Sequence, residues 1–231
     1  MATGDILRNN VKEKLARDEV VASMTVRLVR TTEIARIAST AGFDTLYVDL
    51  EHSSMSLEAC GQICCAALEA GIAPFVRVPA NTPDYICRVL EAGALGIIAP
   101  HVHSAKEAEA YAALNAATMI IVQVESAAAL EHAEEIAAVE GVDLLLVGLN
   151  DLLADWGVPG EYDHPRVRAA YAATIAACRK HGKHCGVGGL ATRPDLVAEF
   201  VKMGARYVST GTDLSFLLGA ATARAKQVHE F

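Results

Sequence analysis

The strongest constraint on the fold is a junction that recurs along the chain. A stretch with helical spacing of apolar residues ends in glycine, and an apolar run begins soon after it, as in AGFDTLYV, AGIAPFVRV and EGVDLLLVG. Glycine readily adopts the left-handed conformation that follows a helix end. One junction, ALNAATMIIVQ, has Asn115 in this place, and asparagine also tolerates that conformation. The repeat predicts an alternation of strands and helices, which is typical of a parallel sheet.

Eight predicted strands set the fold class. They cover residues 21–26, 44–50, 73–78, 95–100, 119–125, 143–149, 184–189 and 206–211. Eight strand–helix units in 231 residues predict an α/β protein, a (β/α)8 TIM barrel that forms a single domain over residues 1–231. Residues 1–19 are predicted to add an N-terminal helix and residues 214–231 a C-terminal helix. A doubly wound open sheet is the alternative, but no glycine-rich dinucleotide fingerprint follows the first strand.

The distribution of charge argues against several classes of partner. The net charge is −8 and no block of lysine and arginine exceeds two residues, so we expect no nucleic-acid or anionic-membrane surface. The N-terminal sequence is charged and polar, and no run of about 18 uncharged apolar residues follows it, so no membrane span is expected. These features predict a cytoplasmic protein whose six cysteines are reduced thiols.

Polar and charged side chains follow several predicted strands at their carboxyl ends. In a TIM barrel these ends form the face that carries the active site. The candidate residues at this face are Asp49, His52, Arg77, Gln123, Glu125, Gly148, Asn150 and Asp151.

Glu125 and Asp151 follow adjacent strands and are candidate metal ligands. Two carboxylates with open positions suit a hard divalent cation such as Mg²⁺ or Mn²⁺. The same side chains can instead act as helix caps or ion-pair partners, and Ser126 begins a helical pattern directly after Glu125. From position alone, both interpretations stay open.

Arg77 and His52 each allow a functional and a structural interpretation. Arg77 lies in a buried run, where its guanidinium can hold a carboxylate or enolate oxygen of a ligand, or pair with an acid of the fold. His52 can be a base held by Asp49 if the chain turns at Leu50 or Glu51, or a surface residue of a loop. Because no lysine lies at a predicted strand end, a Schiff-base mechanism is disfavoured and a metal is the natural electrophile.

Cys60, Cys64 and Cys65 are interpreted as packing residues. They form no Cys-x-x-Cys pair, and no matching histidine pair accompanies them. Cysteine is common in cores as a small apolar residue, so we expect burial rather than metal binding.

Five motifs in one order resemble a known family. VDLEH, PFVRVP, VQVES, GLNDL and GVGGLATRPDL are similar to those of the metal-dependent, class II pyruvate aldolases of the HpcH/HpaI aldolase/citrate lyase family, within the phosphoenolpyruvate/pyruvate barrel superfamily. The resemblance covers nearly the whole chain after about residue 20. It implies reversible cleavage of a 4-hydroxy-2-oxo acid to pyruvate and an aldehyde, with decarboxylation of oxaloacetate as a side activity.

The resemblance also implies roles for the catalytic residues. Glu125 and Asp151 would bind the divalent cation, Mg²⁺, Mn²⁺ or Co²⁺, which pyruvate would chelate. Arg77 would hold the keto or enolate oxygen. His52, supported by Asp49, would be the acid and base.

The substrate-binding residues follow from the same resemblance. Gln123 would orient the substrate or a metal-bound water. The backbone amides of Leu149, Asn150 and Asp151, after Gly148, would receive the carboxylate of pyruvate. Members of the family also exchange the last helix between partners and form hexamers as trimers of dimers, so a homo-oligomer is expected here.

The chain departs from the family at one place. Members usually carry some thirty more residues between the fourth barrel helix and the fifth strand, whereas here EAEAYAALNAATMIIV runs straight through. We predict a continuous helix over residues 105–115 at this point.

Two other functions compete with the aldolase. A citramalyl- or malyl-CoA lyase would need a groove for CoA, and the sequence shows no basic patch for its phosphates. A catalytically silent barrel that acts as a binding module would not need the four residues His52, Arg77, Glu125 and Asp151 together. The sequence does not name the aldehyde.

Overall fold

The computed structural model describes residues 9–112 and 118–230. The strands are β1 Val21–Val26, β2 Thr45–Asp49, β3 Ala73–Arg77, β4 Gly96–Ala99, β5 Met119–Val124, β6 Leu144–Gly148, β7 His184–Gly188 and β8 Tyr207–Ser209. All pair in parallel in sequence order, and β8 pairs with β1 to close a barrel. The TIM barrel is confirmed, each strand lies within its predicted range, and closure excludes the open sheet.

One helix precedes β1, and at least one helix follows each strand. The helices are α1 Asn10–Ala16, α2 Glu33–Thr40, α3 Leu57–Glu69, α4 Pro83–Glu91, α5 Ala105–Ala112, α6 Ala127–Glu131, α7 Ala133–Ala138, α8 Leu149–Asp155, α9 Pro165–Lys180, α10 Pro194–Met203 and α11 Asp213–His229. Within the described ranges, no helix combines the length and apolar character needed to cross a membrane. Cys60 and Cys64 are buried as expected, whereas Cys65 is exposed.

Two predicted helices extend beyond the described residues. The N-terminal helix, predicted over 1–19, contains α1, and residues 1–8 lie outside the described part. The helix predicted over 105–115 contains α5. Ser104 caps the start of α5, because its side-chain oxygen accepts a hydrogen bond from the Glu107 backbone N–H at 3.3 Å. The rest of that predicted helix, and with it the continuous link to β5, falls at residues outside the described part.

The interior of the barrel is filled by alternate residues of the strands. Tyr47 and Phe75 lie in one buried apolar cluster with residues of β5, β6 and β8, so their side chains face inward. Successive side chains of a strand face opposite ways, so the residues two positions later, Asp49 and Arg77, face inward as well. Gln123 occupies the same place in β5, and all three polar residues are buried. The polar layer therefore caps the apolar interior at the carboxyl ends of the strands.

Helix α1 closes the opposite end of the barrel. Val11 and Leu15 are buried in the same cluster as the interior residues of the strands. Lys14 Nζ lies 2.7 Å from Asp44 Oδ1, and Lys12 Nζ lies 3.2 Å from Asp143 Oδ1, which ties the helix to the loops before β2 and β6. Access to the polar layer is therefore from the carboxyl ends of the strands.

Candidate active site

Asp49 and Arg77 form the centre of the site. Their Cα atoms are partners in the register of β2 and β3. Arg77 Nε donates to Asp49 Oδ1 at 2.9 Å and Nη2 donates to Oδ2 at 2.6 Å. This two-bond geometry is the strongest that an arginine and a carboxylate make, and it fixes the plane of the guanidinium.

A second arginine contacts the same carboxylate. Arg27, the residue after β1, donates from Nε to Asp49 Oδ2 at 2.6 Å. Backbone N–H groups of Glu51 and His52 donate to Asp49 Oδ1 at 3.1 and 3.2 Å. Burial alone would raise the pKa of Asp49, but the hydrogen bonds and charge of Arg77, with the charge of Arg27, hold it below its ordinary value. Asp49 is therefore an anion at neutral pH that orients two cations.

Arg77 also contacts residues beyond Asp49. Its Nη1 lies 2.7 Å from Glu51 Oε2 as an ion pair and donates to Gln123 Oε1 at 3.3 Å. The guanidinium stands 5.5 Å from the centre of the Tyr47 ring. Burial would lower the pKa of Arg77, but Tyr47, Asp49 and Glu51 raise it above its ordinary value, so the side chain is always charged.

Glu125 follows β5 and is held by His101. The His101 backbone N–H donates to Glu125 Oε1 at 2.7 Å, and the His101 ring bridges Glu51 and Glu125, with Nε2 at 2.6 Å from Glu51 and Nδ1 at 3.1 Å from Glu125. Burial raises the pKa of Glu125; the contacts with His101 oppose this rise, and the charges of Asp151 and Glu51 add to it. The helix after Glu125 is capped by Ser126, which accepts from the Ala129 N–H. Glu125 is thus free of the capping role.

His52 lies at the edge of the site. Its ring is 51% exposed, and Nε2 lies 3.8 Å from Glu51 Oε2. The chain does turn after Leu50, so that the His52 backbone N–H reaches Asp49, but the Asp49 carboxylate contacts the two arginines rather than the ring. A support of the His52 ring by Asp49 is therefore wrong for this structure, because the arginines compete for that carboxylate.

A cavity of about 220 Å³ opens beside this cluster. Four of the predicted site residues line it, namely Gln123, Gly148, Asn150 and Asp151. Gly148 ends β6, and a Cβ atom there would lie 3.0 Å from Glu125 Cβ, so glycine permits the close approach of these strands. Leu149 begins α8, whose first backbone N–H groups have no partner within the helix.

Comparisons with known proteins agree with this geometry. The family model described as HpcH/HpaI aldolase/citrate lyase matches residues 28–220. The chain belongs to this family.

Individual relatives carry names of the same kind. The chain is 37% identical over 216 residues to the 4-hydroxy-4-methyl-2-oxoglutarate aldolase tasA of Hapsidospora irregularis, covering 79% of this chain and 80% of the relative. It is 31% identical over 211 residues to the 2-dehydro-3,6-dideoxy-6-sulfogluconate aldolase of Pseudomonas putida, covering 78% and 82%. These similarities make the chain a carbon–carbon lyase of the aldolase type.

Solved structures share the fold over nearly the whole chain. An HpcH/HpaI aldolase/citrate lyase family protein from Burkholderia cenocepacia J2315 superposes with a TM-score of 0.88 at 28% identity, covering 96% of this chain and all of that one. The HpcH/HpaI aldolase from Desulfitobacterium hafniense DCB-2 gives 0.87 at 25% identity, covering 96% and 97%.

Three residues of the site received no role from the sequence. Arg27, Glu51 and His101 all follow strand ends, so the barrel rule includes them as candidates. Their contacts depend on how the chain turns after the strand, which alternation does not determine. His101 has a φ of 55°, unusual for a residue other than glycine. This turn gives both its backbone N–H and its ring access to Glu125.

Proposed function

We propose that the chain cleaves a 4-hydroxy-2-oxo acid reversibly to pyruvate and an aldehyde, or a ketone where the alcohol is tertiary. The observation that supports this most is the buried Arg77–Asp49 pair beside Glu125, in a member of an aldolase family. Cleavage leaves the electrons of the C3–C4 bond on the pyruvate fragment as an enolate, so positive charge fixed near the 2-oxo group lowers the barrier.

The residues present fit a divalent cation at Glu125 and Asp151. Among the described residues, the cluster sets the carboxylates of Asp49, Glu51, Glu125 and Asp151 against the guanidinium groups of Arg27 and Arg77 and the ring of His101. The pKa of Glu125 is raised by burial and by its acidic neighbours. This rise indicates that too little positive charge surrounds the carboxylate. A divalent cation would balance these charges and would polarise the 2-oxo group of the substrate.

Within the described ranges, no group of three or more acidic, histidine or cysteine side chains is arranged around one metal position. The proposal therefore assigns two protein ligands, Glu125 and Asp151, and leaves the other positions to water and substrate oxygens. Mg²⁺, Mn²⁺ and Co²⁺ all accept such a set.

The chain's own groups would hold the substrate around this position. Arg77 has five N–H donors: Nε and one on Nη2 go to Asp49, and Nη1 donates to Gln123 and pairs with Glu51. The second N–H of Nη2 would donate to the 2-oxo oxygen. Gln123 lines the cavity and accepts from Arg77, so its amide would lie near the same oxygen and could orient the substrate or a metal-bound water. The backbone N–H groups of Leu149, Asn150 and Asp151 would receive the carboxylate of pyruvate.

His52 is the proposed acid and base. Its exposed ring is not held by a hydrogen bond to Asp49, so it can turn toward a bound substrate and take the proton of the C4 hydroxyl. Oxaloacetate decarboxylation passes through the same enolate without this deprotonation, and we include it as a side activity.

The metal requirement tests the proposal. We expect pyruvate to be released from 4-hydroxy-2-oxo acids only when Mg²⁺, Mn²⁺ or Co²⁺ is present, and Glu125→Gln and Asp151→Asn each to lower kcat/KM by about 100-fold or more. Release is measured with a coupled assay across a panel that includes 4-hydroxy-4-methyl-2-oxoglutarate. Glu161→Gln, an exposed acid beyond α8, is the matched control and should behave like the native protein. Full turnover in EDTA would refute the metal role.

Assembly and location belong to the same proposal. The apolar residues at the start of α11 are exposed, among them Leu214, Leu217 and Leu218. We propose that α11 packs on a second copy of the chain, in a homo-oligomer that is a hexamer built from three dimers. We also propose a cytoplasmic location, which the free thiols of the cysteines support.

A further inference from the structure

Arg27 is held at its backbone by an acid from the last strand–helix junction. Asp213, the first residue of α11, is buried and accepts backbone N–H bonds from Arg27, Leu28 and Val29 at 3.0, 2.9 and 2.7 Å. Three donors on one carboxylate fix the path of the chain after β1. The starting point of the Arg27 side chain is therefore set by the fold.

The side chain of Arg27 is held at its other end by Asp49. Nε donates to Asp49 Oδ2, the same oxygen that accepts from Arg77 Nη2. The two guanidinium groups thus lie side by side on one carboxylate. A long arginine side chain normally has many conformations. Because both the backbone and Nε of Arg27 are held, its guanidinium is restricted to one direction.

The guanidinium of Arg27 reaches the cavity. Arg27 lines it together with Gln123 and Asp151, and its side chain is 38% exposed. In the part of the chain that the structure describes, Asp49 is the acid that pairs with Arg27, and Asp49 is shared with Arg77. Two Nη groups that can each donate are left at the cavity wall, and a planar pair of donors matches a carboxylate.

We propose that Arg27 binds a carboxylate carried on C4 of the substrate, so that the enzyme is specific for dicarboxylic 4-hydroxy-2-oxo acids, which yield two 2-oxo acids. This inference rests on the proposed function, which places the 2-oxo group at Arg77. The C3–C4 bond that breaks lies between the C2 oxygen and a carboxylate on C4. The two adjacent guanidinium groups can therefore bind one on each side of this bond, Arg77 at the C2 oxygen and Arg27 at the carboxylate. Arg27 binds the substrate and takes no part in the proton transfers. In the reaction the C4 hydroxyl gives its proton to the base, the C3–C4 bond breaks, C4 becomes a carbonyl carbon, and C3 of the enolate takes a proton.

A matched pair of substrates tests the inference. 4-Hydroxy-4-methyl-2-oxoglutarate carries the carboxylate on C4, and 4-hydroxy-4-methyl-2-oxopentanoate has a methyl group in its place and yields acetone. We expect the native enzyme to prefer the dicarboxylate by about 10- to 100-fold in kcat/KM, the range for hydrogen bonds to a charged group. Arg27→Gln, which can still donate to Asp49, should remove this preference by raising KM for the dicarboxylate alone.

Two further variants sharpen the result. Arg27→Lys keeps the charge without the planar pair of donors. Its preference for the dicarboxylate should therefore lie between those of the native enzyme and Arg27→Gln. The lysine variant also provides the test if the glutamine variant does not fold. Arg30→Gln removes an equal charge from the same loop, where Arg30 contacts Ser54, and should leave the preference unchanged. An equal loss on both substrates in the Arg27 variants would mean that Arg27 acts only through Asp49 and Arg77, and would overturn the inference.

Failure of the proposed function is distinguishable from failure of this inference. Exchange of the methyl protons of pyruvate in D2O reports enolate formation without any acceptor. Native enzyme that shows neither exchange nor cleavage would refute the function itself. Exchange and cleavage without a preference between the two substrates would refute only the role of Arg27.

Discussion

Asp49 is the residue on which the cations of the barrel mouth converge. It accepts from Arg77 and Arg27 and receives two backbone N–H groups of the loop after β2. A buried carboxylate with this many donors stabilises the fold when it is ionised, and it also sets the directions of two side chains with proposed roles in the cavity. Stability and substrate binding are therefore coupled at one position.

The pKa of Asp49 gives a prediction about acid stability. Because its folded pKa lies below the ordinary value of 3.8, its contribution is present above about pH 4 and is lost as the pH falls through the folded pKa. Asp49→Asn should lower the free energy of unfolding by about 3 kcal/mol at pH 7, since it leaves the buried cation of Arg77 without its anion. Urea unfolding of both proteins between pH 7 and acid, in EDTA, should show this difference shrinking only below about pH 4. A difference that stays constant into strong acid would contradict the role.

At the scale of elements, α11 and β1 are joined through Asp213. The residue begins the helix and also accepts from three backbone N–H groups after β1, so the last helix fixes the loop that carries Arg27. The isolated bridge between Thr25 and Thr212 adds a second link between the same segments.

Asp213→Ala tests this link. It leaves three partly buried backbone N–H groups without the charged acceptor that fixes the loop, so we expect the free energy of unfolding to fall by roughly 2–4 kcal/mol. Ser215→Ala is the control, because it removes part of the capping box of the same helix and should cost only about 1 kcal/mol. Both values come from urea unfolding at neutral pH. If both variants lower the free energy of unfolding equally, Asp213 acts only at the start of the helix and does not fix the loop after β1.

The elements themselves could be predicted from the sequence because their signals are local. Glycine after a helix and an apolar run after the glycine placed six of the eight strands, and an apolar run after Asn115 placed β5. The strand ends placed Asp49, Arg77 and Gln123 at one face of the barrel. The burial of Glu125 follows from the same position at a strand end.

The contacts between strand ends could not be predicted in this way. His101 reaches Glu51 and Glu125 through a turn with positive φ, and Arg27 reaches Asp49 because Asp213, far along the chain, holds its backbone. These contacts depend on tertiary geometry and on competition for one carboxylate. The same competition separates the His52 ring from Asp49.

For the whole molecule, α11 differs from the helices that cover the barrel. Apart from Asp213, all of its residues from 214 to 229 are exposed, and Leu214, Phe216, Leu217 and Leu218 are exposed by 42% to 62%. Phe216 contacts the ring of Phe43 at 5.8 Å, but the leucines project away from the barrel. A contiguous apolar face of this kind is typical of an interface, because leaving it in water costs free energy.

Light scattering tests whether a second copy of the chain covers this face. We expect an oligomer at micromolar concentration, and we expect the double change Leu217→Arg and Leu218→Arg to shift it to smaller species, because burying two unpaired charges opposes association. Gln227→Arg adds charge to the other side of the same helix and is the control that should keep the native size. If copies exchange α11, whose first residue fixes Arg27, the dissociated variant should also lose cleavage activity. A native protein that is monomeric at this concentration, or a double variant of unchanged size, would refute the packing of α11 on a partner.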